Sequence, residues 1–260
     1  MINYDNSLGT VYDATEQLEQ EQSVEIFFCA LNMIQKLMDC PDVAIYRVNK
    51  EKYARLFAYS SAKAASMGNT VYLPDKKSLD EACNENRVYI NRSMEKEYPM
   101  MAYNVESEEQ MEILIMLWSL PFERMTINEA NRLIVIGKLI QTSVRRADRY
   151  LEALSEERYH SESQILKASA FEELVGAYRK ASKEKLTEYV LLQIEVEGEN
   201  EKETVDKCTS LLRESDYIGN LSDGKLYLLL TNTDLKGCSF VQNKLKQNGV
   251  ASSISEEGRL

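Results

Sequence analysis

Arg213 and Asp216 are the residues whose types and spacing most readily do chemistry in this chain. They stand three positions apart in the run LLRESD, which reads as the end of a helix. Residues at that spacing share one side of a helix, so a guanidinium and a carboxylate would be offered together. The guanidinium is a planar fork of donors that meets paired acceptors or lies flat on an aromatic face. The carboxylate accepts from two neighbouring N–H groups. This is recognition chemistry; no bond need break. The same pattern recurs at Arg145 and Asp148, inside a long helical stretch, where an ordinary surface ion pair accounts for it. Position separates the two cases. Five residues separate Asp216 from the turn Ser222-Asp223-Gly224-Lys225, and Asp-Gly is a strong hairpin signal because glycine accepts the positive φ that such turns need.

Other chemistries find little support. The chain has one histidine, His160, in a polar stretch, which argues against histidine catalysis or a multi-histidine metal site. Its five cysteines (Cys29, Cys40, Cys83, Cys208, Cys238) form no CxxC pair, so reduced thiols in a cytoplasmic compartment are expected. No catalytic residue, metal or cofactor is expected. A net charge of −11 opposes binding of nucleic-acid polymers, which relies on basic surface. A small nucleotide would have to be met by local positive charge.

The elements that must position the pair come in three sections. Residues 1–19 form a polar, acidic arm, with TEQLEQEQS suggesting a helix start. Val24, Phe27, Phe28, Leu31, Ile34 and Leu37 then recur at spacings of three and four, one face of an amphipathic helix. Strand-like runs follow at 43–49, 53–60, 70–74, 88–91 and from 101 to 122, with a short helix at 78–87. Thr126 and Glu129 form a capping box for a long helix whose apolar stripe continues to about Tyr159. The second half of that helix is a candidate dimer contact. The last section reads as helix (164–186), strand (187–198), helix (199–216), hairpin, helix (234–249) and a terminal strand or tail. The 260 residues suffice for two small domains, and 44% apolar with 28% charged residues is ordinary for a soluble protein. The longest apolar runs, 113–122 and 133–140, fall short of the ~20 residues that span a bilayer. The opening residues lack the pattern of a signal peptide, so a cytoplasmic location is expected.

The register around Arg213 resembles that of the GGDEF domains of cyclic-di-GMP signalling, in which an inhibitory RxxD motif stands five residues before the GGDEF hairpin. RESD occupies the RxxD place, YIGNL the spacer and SDGKL the place of GGDEF. The resemblance implies a site kept intact beside a hairpin that has lost its catalytic residues. Lys225 stands where the family has a metal-holding acid, and Glu195 and Glu197 lie near the family's Asp-x-Asp pair. Fewer than twenty residues then lead to Arg213, too few for the family's substrate-binding helical insertion. Guanine offers O6 and N7 to an arginine fork, and its N1–H and N2–H to a carboxylate such as Asp216. Tyr217 is placed to stack or to donate a hydrogen bond. In the family a basic residue on the helix after the hairpin balances phosphate, and the nearest candidates here are Lys244 and Lys246.

The element order over roughly 20–149 resembles a GAF domain. A GAF domain followed by a shortened, inactive GGDEF-like domain is similar to the PelD family, the cyclic-di-GMP receptors of Pel exopolysaccharide synthesis and export. The expected fold class is therefore α/β (α+β): an arm (1–19), a GAF-like domain (20–149), a helical linker (150–163) and a degenerate GGDEF-like domain (164–260). The resemblance implies a non-enzymatic receptor of cyclic di-GMP, with Pel-type synthesis and secretion proteins as partners and a homodimer as a candidate assembly. Members of that family carry membrane helices ahead of the GAF domain, so the chain is expected to be cytoplasmic or the cytosolic part of an inner-membrane protein. The rival reading is a ligand-free GAF/GGDEF-like module for dimerisation or partner recruitment.

Overall fold

The computed structural model describes Leu18 and residues 23–105, 112–161, 163–196, 201–213 and 215–255. The expected helix start before Ser23, Glu197 of the acidic pair and the end of the terminal tail lie outside them. The protein is a mixed α+β chain, as expected, and divides into two compact units, Met1–Arg149 and Tyr150–Leu260.

The first unit is built on an antiparallel sheet. Its strands are β1 (Val43–Val48), β2 (Tyr53–Tyr59), β3 (Thr70–Tyr72), β4 (Tyr89–Ile90), β5 (Met101–Val105) and β6 (Glu112–Leu117), in the order β3-β2-β1-β6-β5-β4. Helix α1 (Ser23–Leu37) lays Phe27 on Phe57 of β2, their rings 4.6 Å apart. On the same face lies α3 (Ile127–Ala153), whose Gly137 passes against Tyr103 and Val105. The opposite face buries Tyr46, Leu56, Leu114, Met116 and Trp118 under α2 (Lys77–Asn84), which contributes Leu79 and Ala82. Strand alternation explains the division, because successive side chains leave a strand on opposite sides. Ile45 and Tyr46 pair with Ala58 and Leu56, so Phe57 is an extra residue, a bulge in β2.

Helix α3 has the expected start: the Glu129 amide donates to Thr126 Oγ1 at 3.3 Å. It stops short of Tyr159. Leu154 breaks it, a single turn α4 (Ser155–Arg158) follows, and Tyr159 is extended.

The second unit carries α5 (Ala168–Lys183), β7 (Tyr189–Glu195), α6 (Glu201–Leu211), β8 (Tyr217–Asn220), β9 (Leu226–Thr231), α7 (Leu235–Gln247) and β10 (Ala251–Ile254). Its four strands form an antiparallel sheet in the order β10-β7-β9-β8. One face, with Val190, Leu192, Leu228 and Leu230, is buried against Val205 and Cys208 of α6 and Cys238 and Leu245 of α7. The other receives α5, whose Phe171 lies against Gly219 and whose Tyr178 ring stands 6.5 Å from that of Tyr217. Helix α5 begins four residues later than its periodicity suggests. Leu166 is instead extended along the outer edge of β8: its amide donates to the Ile218 carbonyl at 2.9 Å, and the Asn220 amide donates back to Leu166 at 3.0 Å. An edge strand with unpaired groups competes successfully for that backbone.

Candidate functional site: the cleft beside β8

The loop from α6 into β8 carries the Arg-x-x-Asp pair, and its conformation is set by Asp216. Helix α6 ends at Leu211, so Arg213 and Asp216 lie beyond it and not on its last turn. The cause is local competition for one amide. In a continuing helix the Arg213 N–H would donate to Thr209; here it donates to Asp216 Oδ2 at 3.1 Å. The Asp216 amide in turn donates to the Arg213 carbonyl at 3.0 Å. The second carboxylate oxygen reaches across to β9, accepting from the Thr231 amide at 3.0 Å and from its hydroxyl at 3.4 Å. Thr231 also donates from Oγ1 to the Ser215 carbonyl at 2.9 Å. Asp216 thus ties the end of α6 to the sheet.

This arrangement has an electrostatic consequence. Burial pushes the Asp216 carboxyl above its ordinary 3.8, against the pull of the Thr231 and Arg213 amides and the Arg213 charge. A carboxylate has roughly four acceptor sites, and a backbone amide occupies one on each oxygen here. A bidentate grip on guanine, as the spacing suggests, would have to share both oxygens of Asp216 with these amides. Arg213 is exposed, and its side chain is the cation of the site.

Arg213, Asp216 and Tyr217 come together on one open cleft of about 580 Å³, walled on the other side by Tyr159, Ser163, Gln164 and Leu166. Volumes of ~300–1,000 Å³ are usual for small-molecule sites. Tyr217 is partly buried at the start of β8, beside Tyr178 of α5. Lys244 and Lys246 do not join the cleft. They are exposed on α7, which packs along β10 at the opposite edge of the sheet, and Lys244 Nζ sits 4.8 Å above the ring of Phe240. Tyr159 and Gln164 were not singled out in the sequence. They belong to a segment read as linker and helix start, and only the pairing of Leu166 with Gly219 brings them to β8.

The hairpin next to the cleft pairs Asn220 with Leu226, leaving five residues, 221–225, in the connection, one more than the longest turn expected. Gly224 takes φ +75°, the left-handed conformation that favours glycine. The one acid of the turn, Asp223, is used within it. Its Oδ1 accepts from the Lys225 amide at 3.0 Å and its Oδ2 from the Tyr227 hydroxyl at 2.8 Å. The Lys225 amide chiefly holds the Asp223 carboxyl below its ordinary value, against the opposing effect of desolvation and with the help of the Tyr227 hydroxyl. The Glu172 carboxylate accepts from the Ser222 amide at 2.9 Å.

No family model and no curated protein matches the chain. Among solved structures, the chain is similar to PelD 156–455 from Pseudomonas aeruginosa PA14 in complex with c-di-GMP, at 12% identity and a TM-score of 0.40 over 95% of this chain and 88% of that one. It is similar to PelD 158-CT from Pseudomonas aeruginosa PAO1 at 12% identity and a TM-score of 0.39, over 95% of this chain and 89% of that one. A methyl-accepting chemotaxis protein, residues 122 to 287, is similar at 6% identity and a TM-score of 0.43, over 54% of this chain and 99% of that one. At such identities no residue role is carried over from those structures. Among the described residues no helix is long and apolar enough to cross a membrane.

Proposed function

We propose that this chain is a non-enzymatic receptor for cyclic di-GMP, built as a GAF-like unit followed by a degenerate GGDEF-like unit. The observation that carries the reading is the convergence of Arg213, Asp216 and Tyr217 on one open cleft immediately before the hairpin. The exposed guanidinium supplies the local positive charge that a dinucleotide needs on a chain of net charge −11. Its fork fits guanine O6 and N7, and Tyr217 lines the same cleft. The absence of catalysis is argued from the turn, where Asp223 serves its own backbone and Lys225 occupies an acidic position. By its order of domains and its RxxD register the receptor is of the PelD kind. Its role in the proposal is to relay dinucleotide binding to proteins that make and export a Pel-type exopolysaccharide in biofilms.

Calorimetric titration with cyclic di-GMP tests this. Saturable binding is expected, with Arg213→Ala weakening it at least tenfold, about 1.4 kcal/mol. Equal affinity in that variant, or no saturation of the unmodified protein, sinks the proposal. Product formation from GTP and Mg²⁺ would overturn the non-enzymatic part alone.

A further inference from the structure

The Arg213 cleft does not end at Thr209. A second cavity of about 540 Å³ shares Ser163, Gln164 and Thr209 with it and continues along α6 to His160, Lys202 and Asp206. Lys202, Asp206 and Thr209 fall at positions i, i+4 and i+7, one face of the helix, and span about 10 Å along its axis. One groove therefore runs from Lys202 past Asp206 and Thr209 to Arg213. Both Lys202 and Asp206 are exposed, so their charged groups are open to a ligand, whereas both carboxylate oxygens of Asp216 already accept a backbone amide.

We infer that Lys202 and Asp206 hold the second nucleotide of a dinucleotide ligand whose first nucleotide lies at Arg213. The inference rests on the receptor reading above and deepens it. Asp206 accepts from N1–H and N2–H of the second guanine, the role that the spacing first suggested for Asp216. Lys202 pairs with a phosphate, the role first given to Lys244 and Lys246, which line neither cavity. Adenine carries no donor at N1 or C2, so a carboxylate at this place also discriminates between cyclic di-GMP and cyclic di-AMP.

Calorimetry with both dinucleotides tests this, together with proton NMR of the single histidine as a reporter within the groove. Lys202→Glu and Asp206→Asn are each expected to weaken cyclic di-GMP binding about tenfold or more. Lys202→Arg should retain most of the affinity, and Asp206→Asn should narrow the preference over cyclic di-AMP. Lys244→Ala and Lys246→Ala should bind as the unmodified protein does, and the His160 ring signals should shift on saturation. If the protein saturates and Arg213→Ala abolishes binding, yet both groove variants bind normally and the His160 signals stay put, this inference falls and the receptor reading stands. If the unmodified protein does not saturate, both fall.

Discussion

Asp216 shows how one side chain can be both structural and part of a site. Replacing it with Asn keeps the shape but removes an acceptor on one of two oxygens that receive backbone amides. A loss of about 1–2 kcal/mol in urea unfolding is expected, the usual cost of a buried donor left without its partner. The pH dependence has a definite sign. Burial raises the folded value above 3.8, so the folded chain binds this proton more tightly than the unfolded chain. The contribution of Asp216 to stability is therefore fully present below 3.8 and is lost as pH rises through the raised folded value. Asp216→Asn should flatten that slope in unfolding curves taken across the acid range.

At the scale of elements, the cleft exists because Leu166 pairs with β8 at Gly219 and Tyr159 pairs with Leu166, and Gly219 lets Phe171 of α5 pack closely beneath that strand. A Cβ on Gly219 would overlap the Phe171 ring and stand 2.8 Å from the Phe171 Cβ, while its backbone bridges to Leu166. Gly219→Ala should destabilise the second unit by about 1–3 kcal/mol, the range for overpacking. Because Phe171 is fully buried, relief must come from moving α5 or β8, so affinity for the dinucleotide should drop as well. Unchanged melting and unchanged binding would show that α5 yields without cost. The elements themselves were largely visible in the sequence. The α1 face, the capping box at Thr126, the runs that became β7 and β9 and the Asp-Gly turn all rest on local periodicity and turn chemistry. Two of the boundaries that were missed share one cause. Helix α6 ends early because Asp216 takes the Arg213 amide, and α5 starts late because the β8 edge takes Leu166. Both are backbone groups captured by partners that the local pattern does not display.

The whole molecule comprises two units with separate cores, so a defect in one should leave the other intact. Gly137 provides the test: an added Cβ would stand 2.7 Å from Val105 Cγ2 and 3.1 Å from Tyr103 Cδ1. Gly137→Ala is expected to cost about 1–3 kcal/mol in the first unit. In scanning calorimetry it should shift a different transition from the one that Gly219→Ala shifts, and it should leave dinucleotide titration unchanged. A common shift of a single transition in both variants would mean that the two cores melt together.

By itself the sequence determined the α+β class, the order of elements and the position of an Arg–Asp pair just ahead of a hairpin, because period, caps and turn residues act over a few positions. Only the tertiary structure decided that the Asp216 carboxylate serves Thr231, that Tyr159 and Gln164 face Arg213, and that Lys244 and Lys246 stand at the far edge of the sheet. Those outcomes follow from which strands pair and which edge captures a passing segment. Such contacts join residues far apart in the chain and leave no periodic trace in it.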